Sequence, residues 1–145
     1  MRTKRLFLPF VASLALLVPF AARADDKPVA PASIDGVRIV TAEQAIELIL
    51  ANPDMPIIDA RKKSEYVKGH IEGATNLLNT EMTEADLARI APETTAPILF
   101  YCNGERCLRS SDAIRKAQGW GYRNLLWFRG GWKEWSDKRL PAVSD

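Results

Sequence analysis

The chain is predicted to fold as an α/β domain, a largely parallel sheet with helices on both faces, and three observations predict it. From Val37 onward, apolar segments of strand length alternate with helical patterns. The run Pro97-Ile98-Leu99-Phe100-Tyr101 is continuously apolar, as in a strand covered on both faces. Helix-start signals at Thr41 and Thr83 follow apolar segments, as alternating strand and helix units require.

Val37 to Val40 reads as a first strand. Thr41-Ala42-Glu43-Gln44 then has capping-box spacing, with Thr41 as N-cap and Gln44 reaching back. The helix runs to about Ala51, buries Ala45, Ile46, Leu48, Ile49 and Leu50 on a broad face, and stops at Asn52-Pro53. Met55 to Ala60 is a short buried strand ending in Asp59. Glu65 to Lys68 is one helical turn, Ala74 to Leu77 a strand, and Thr83 to Ile90 a helix ended by Ala91-Pro92. Pro97 to Tyr101 delivers Cys102 at its carboxyl end, the edge where such sheets bind ligands. Arg109 to Gln118 is the next helix, Asn124 to Phe128 the last strand, and Gly130-Gly131 turns it into a helix over Trp132 to Lys138.

Ahead of this domain, Arg2, Lys4 and Arg5 precede an apolar run to Phe20 and the triplet Ala22-Arg23-Ala24. That is the form of a secretory signal peptide over residues 1–24, cleaved after Ala24, which places the mature chain in the periplasm. The run falls short of the ~20 residues of a membrane span and contains Pro9 and Pro19, so no stable membrane association is expected after cleavage. Residues 25–36, rich in Ala, Pro and Asp, read as a flexible leader, and residues 37–145 as the folded domain, expected to be a monomer. Without residues 1–24 the chain has sixteen Lys and Arg against eighteen Asp and Glu, a net charge of −2. Such a domain has no electrostatic footprint for nucleic acid.

The two cysteines, Cys102 and Cys107, cannot build a multi-bridge disulfide framework. A lone cysteine at a strand end is commonly a small buried hydrophobe. Here an apolar strand leads into Cys102-Asn103-Gly104-Glu105-Arg106-Cys107, then Arg109 and a helix, an arrangement that packing alone does not require. Loop amides and a first helical turn gather into an anion nest, which depresses the pKa of a thiol placed in it, and Arg106 and Arg109 add positive charge. Gly104 permits the tight backbone path. Metal binding fits poorly, because the cysteine spacing is unusual for zinc and His70 is the only histidine.

Two further stretches accompany this loop. Asp59-Ala60-Arg61-Lys62-Lys63-Ser64-Glu65-Tyr66-Val67-Lys68-Gly69-His70-Ile71-Glu72-Gly73-Ala74-Thr75-Asn76 and Asn124-Leu125-Leu126-Trp127-Phe128-Arg129-Gly130-Gly131-Trp132-Lys133-Glu134-Trp135 resemble, in the right order, motifs of the rhodanese-like sulfurtransferase domain. The resemblance spans about Val37 to Pro141. It implies a five-stranded parallel sheet flanked by helices and a catalytic cysteine that holds sulfane sulfur as a persulfide. It also implies a small sulfur donor such as thiosulfate or polysulfide, a thiophilic acceptor, and no cofactor or metal. Cys102 matches the nucleophile. Asn103, Gly104, Glu105, Arg106, Cys107 and Arg109 match the substrate-binding loop, and Asp59 and Arg61 match positions supporting it. Glu65 is read with these two as part of a bonding network, His70 as a hydrogen-bonded structural residue, and Trp127, Trp132 and Trp135 as packing residues.

The loop departs from the family pattern. Members with the short loop place an arginine where this chain has Cys107, and Arg109 lies two positions further on, so a longer loop and a wider pocket are expected. Cys107 either points into the core or acts as a redox partner of Cys102. Alternative readings are a thiol/disulfide redox protein using both cysteines, a non-catalytic binding module of the same fold, and a phosphatase. The last lacks Cys-x5-Arg spacing, because Arg109 comes one residue late.

Overall fold

A computed structural model describes residues 27–145. The signal peptide reading lies outside the described residues.

Ten elements follow in the order β1 (Val37–Ile39), α1 (Ala42–Ala51), β2 (Ile57–Asp59), α2 (Lys63–Tyr66), β3 (Ala74–Asn76), α3 (Glu84–Ile90), β4 (Ile98–Tyr101), α4 (Arg109–Gly119), β5 (Leu125–Phe128) and α5 (Gly131–Asp137). The expected caps form. Thr41 Oγ1 accepts from the Gln44 amide at 3.3 Å while Gln44 Oε1 accepts from the Thr41 amide at 3.1 Å, and Thr83 and Asp86 repeat this at α3. These bonds satisfy amides that a helix start leaves without partners.

The strands form one parallel sheet in the order β1-β5-β4-β2-β3. Between β3 and β4 the chain returns from one edge to the centre, so β4 lies at the switch point where carboxyl-edge loops diverge and leave a crevice. Register aligns Asp59 with Tyr101 and Tyr101 with Phe128, so β2, β4 and β5 end on one edge. Two apolar cores cover the sheet. One joins Ile58, Ile98, Phe100, Leu125 and Trp127 to Leu87 of α3 and Ala113, Ile114 and Ala117 of α4. The other joins Ile57, Leu99, Leu126 and Phe128 to Ala42 and Ala45 of α1, Tyr66 of α2 and Trp135 of α5. Burial on both faces explains why the central strands show no polar alternation.

Two expectations change. The buried face of α1 is narrower than predicted: Ala42 and Ala45 are buried, Ile46, Leu48 and Ile49 are partly covered, and Leu50 is 75% exposed. α1 follows the edge strand β1 and packs against α5, where little sheet remains to cover its far side. Residues 27–36 lack regular secondary structure but are not a free leader, because Ala30 and Ile34 are buried in the α3/α4 core. The Ala30 amide donates to the Glu105 carbonyl at 2.7 Å, and Arg129 donates to the carbonyls of Pro31 and Ala30 at 2.9 and 3.0 Å. The packed domain therefore begins before Val37. Backbone carbonyls hold this strap, and such anchoring leaves no mark in side-chain composition.

Candidate active site

Tyr101 ends β4 in full burial, and Cys102 follows it, 1% exposed. Gly104 to Cys107 forms a turn, with the Cys107 amide donating to the Gly104 carbonyl at 2.9 Å, and α4 begins at Arg109. No side chain caps α4. Its first amides are therefore free for other acceptors, and here they serve the two sulfurs. The Ser110 amide and hydroxyl face Cys102, with Ser110 Oγ 3.2 Å from Sγ. Trp127 Nε1 donates to Ser110 Oγ at 3.0 Å, leaving the hydroxyl proton free to donate to the sulfur. Cys102 Sγ also donates to the Cys107 carbonyl at 3.3 Å and contacts the Cys107 side chain.

The amides of Asn103 and Arg109 point at Cys107 instead. The nest expected around Cys102 thus holds mainly the second sulfur. Burial pushes the Cys102 thiol up, with the adjacent Cys107 adding to the rise, which corrects the expectation of a depressed pKa there. The Cys107 thiol is lowered to about 6 by the hydrogen bond from Cys102, the amides of Asn103 and Arg109, and the Arg109 charge, against the cost of its partial burial. Of the two, Cys107 is the more readily ionised thiol. Both cysteines are free thiols.

Around the pair, the predicted loop residues divide. Glu65 Oε1 accepts from Asn103 Nδ2 at 2.7 Å, and Glu65 Oε2 pairs with Arg109 Nη1 at 3.2 Å, so one carboxylate ties both ends of the loop. Burial raises the Glu65 pKa, but these bonds and the Lys62 amide outweigh it and hold the carboxyl below its usual range. The Arg109 guanidinium therefore supports the loop from its flank. Glu105 pairs with Arg129 at 2.7 Å, while Arg106 is exposed on the rim. Asn103 to Arg109, with Gly130, Trp132, Lys133 and residues along α5, line an open depression of about 1160 Å³. Cys107 lines it, and Cys102 lies beneath.

Asp59 and Arg61 sit behind this edge as a fully buried pair. Arg61 Nη2 reaches Asp59 Oδ2 at 2.6 Å and the Gly69 carbonyl at 2.7 Å, and Tyr101 Oη donates to the same Asp59 oxygen at 2.6 Å. The Arg61 guanidinium lies 4.6 Å from the centre of the Trp132 ring. A Cβ on Gly69 would come within 2.8 Å of that ring, so this glycine makes room for the tryptophan. The two sequence motifs thus meet at Trp132. α5 then holds the cysteine loop through its backbone: the Trp132 and Lys133 amides donate to the carbonyls of Cys102 and Asn103 at 2.8 and 2.9 Å. Gly131 has φ of 56°, and a Cβ there would lie 2.3 Å from the Cys102 carbonyl oxygen. Only glycine allows this approach.

His70 lies away from the pair, buried, stacked on Tyr66 at 3.6 Å with Nδ1 3.0 Å from the Tyr66 carbonyl. Trp135 donates to the Pro141 carbonyl at 2.8 Å and meets Phe128 edge-on. Among the described residues no group of three or more His, Cys, Asp and Glu is placed to hold a metal ion. Ser110 was missed by sequence reasoning. Its only signal is its place one residue into a helix that follows a cysteine loop.

A family model described as the rhodanese-like domain matches residues 41–138. The chain belongs to this family. Rhodanese-like relatives include a thiosulfate sulfurtransferase of Pseudomonas entomophila, 33% identical over 96 residues that cover 66% of this chain and 82% of the relative. A rhodanese domain-containing protein of Drosophila melanogaster is 31% identical over 98 residues, 60% of this chain and 86% of that one. Among solved structures, the BH2092 protein of Bacillus halodurans superposes with a TM-score of 0.64 at 20% identity, over 74% of this chain and 77% of that one. That likeness shows the fold.

Proposed function

We propose that this rhodanese-like chain is a sulfurtransferase that carries sulfane sulfur from a donor such as thiosulfate or polysulfide to a thiophilic acceptor, as a persulfide on Cys102. The observation that carries this reading is the seat of Cys102 at the carboxyl end of the central strand, with the Ser110 amide and hydroxyl aimed at its sulfur beneath an open depression. The thiosulfate sulfurtransferase activity of the Pseudomonas entomophila relative supports the same class.

In the proposed step Cys102 gives its proton to water, and the Ser110 amide and hydroxyl hold the new charge on its sulfur. The donor reaches Cys102 when the Cys107 side chain swings aside. The Cys102 thiolate attacks the outer sulfur of thiosulfate, the sulfur–sulfur bond of the donor breaks, and sulfite leaves with the electron pair. Cys107 replaces an arginine expected at this point of a short loop, and the resulting opening suits donors larger than thiosulfate.

Intact-mass analysis after anaerobic treatment with thiosulfate or polysulfide tests the reading. A gain of about 32 Da, one sulfur atom, is expected in Cys107→Ser and absent in Cys102→Ser. No adduct on Cys107→Ser with either donor rules the reading out.

A further inference from the structure

The structure holds a second thiol where a one-cysteine transfer site needs none. Cys107 faces the depression, its sulfur receives the Asn103 and Arg109 amides, and its side chain contacts Cys102. A persulfide on Cys102 adds a second sulfur about 2.0 Å beyond Sγ. Cys107 therefore stands next to the inner sulfur, and an outer sulfur directed away from Cys107 leaves in line with its attack. The Asn103 and Arg109 amides favour the Cys107 thiolate.

We propose that Cys107 is the resolving thiol of this site and converts the Cys102 persulfide to hydrosulfide, an inference that rests on the function proposed above. The Cys107 thiolate attacks Sγ of Cys102. The bond between Cys102 Sγ and the outer sulfur, which takes a proton from water, breaks, and that sulfur departs as hydrosulfide with the electron pair. A Cys102–Cys107 disulfide remains. The sulfane sulfur is reduced by two electrons, and each cysteine is oxidised by one. A small thiol or a dithiol protein returns the pair to its starting state. The first external thiolate attacks Cys107 from the depression and expels the Cys102 thiolate, and a second releases Cys107 as a thiolate and leaves the external disulfide. Cys102 lies too deep for that first attack, 1% exposed. On this reading the physiological acceptor is an external thiol, and the sulfur product is sulfide.

The test measures sulfide and intact mass together, on reduced protein without oxygen and with thiosulfate added in equal amount, so that the donor leaves as sulfite and any sulfide comes from the persulfide. Wild type is expected to release about one equivalent of hydrosulfide and to finish about 2 Da lighter, as the disulfide. Untreated protein keeps its mass, which separates the reaction from simple oxidation. Cys107→Ser and Cys107→Ala are expected to retain the sulfur on Cys102, with sulfide release reduced at least about tenfold. Two substitutions guard against a folding defect in one, and the wild-type yield needs neither. If the Cys107 variants hold the adduct and wild type holds it equally long with Cys107 still alkylatable, the resolving role is overturned while Cys102 transfer stands. If the Cys107 variants never load, both readings fall.

Discussion

Cys107 and Cys102 differ in what surrounds their sulfurs more than in where they sit along the loop. The sulfur of Cys107 has two backbone amides and solvent on one side, whereas that of Cys102 has Ser110 and little water. A depressed pKa puts the thiolate in place above that pKa and removes it as pH falls through it. Iodoacetamide labelling of the reduced protein, followed by peptide mass analysis, is therefore expected to modify Cys107 first. Its rate should reach half of its plateau near pH 6, matching the lowered Cys107 value of about 6. An ordinary cysteine would titrate near about 8.5. A midpoint in that higher range, or faster labelling of Cys102, contradicts the assignment of charge within the pair.

At the scale of elements, the site is a junction of chain ends. β4 delivers Cys102, α4 supplies amides, α5 grips the loop carbonyls, and Glu65 at α2 ties down the loop flanks. The Asp59–Arg61 pair stands behind all of them, bonded to Tyr101 and Gly69 and stacked under Trp132. Removing one partner of such a buried pair leaves an unpaired charge, so the intact pair supports loop geometry. Gly131 is the narrowest point of the junction. Gly131→Ala is expected to lower stability by about 1–3 kcal/mol, because the new methyl meets the Cys102 carbonyl and a positive φ must be kept. Sulfur loading should fall with it even where the protein remains folded. Equilibrium urea unfolding and the mass assay check the two effects, and full loading at wild-type rate would show that α5 does not position the loop.

Across the whole molecule, the parallel sheet with two covered faces concentrates chemistry at one edge and leaves the rest to packing. The strap over residues 27–36 extends that edge, since it binds both Glu105 of the loop and Arg129 after β5. A chain starting at Val37 loses the burial of Ile34 and Ala30 and two acceptors of Arg129. It is expected to be less stable by about 2–4 kcal/mol, combining apolar burial with hydrogen bonds to a charged donor. A urea midpoint equal to that of the longer chain would show that the strap contributes nothing to stability.

Local patterns alone determined much of this protein. Capping boxes at Thr41 and Thr83, apolar runs of strand length, and Gly and Pro stops mark the elements to within a few residues, because these signals act between near neighbours in sequence. The strand-then-cysteine order likewise places Cys102 at the carboxyl edge before any coordinate is known. Tertiary structure decided which sulfur the loop amides serve, that Ser110 completes the site, that Arg109 is held by Glu65, and that residues 27–36 are packed. Each depends on the direction of a backbone donor or on a contact between distant segments, such as the Trp132 amide on the Cys102 carbonyl. Those directions arise only when the helices dock on the sheet, so no short-range pattern carries them.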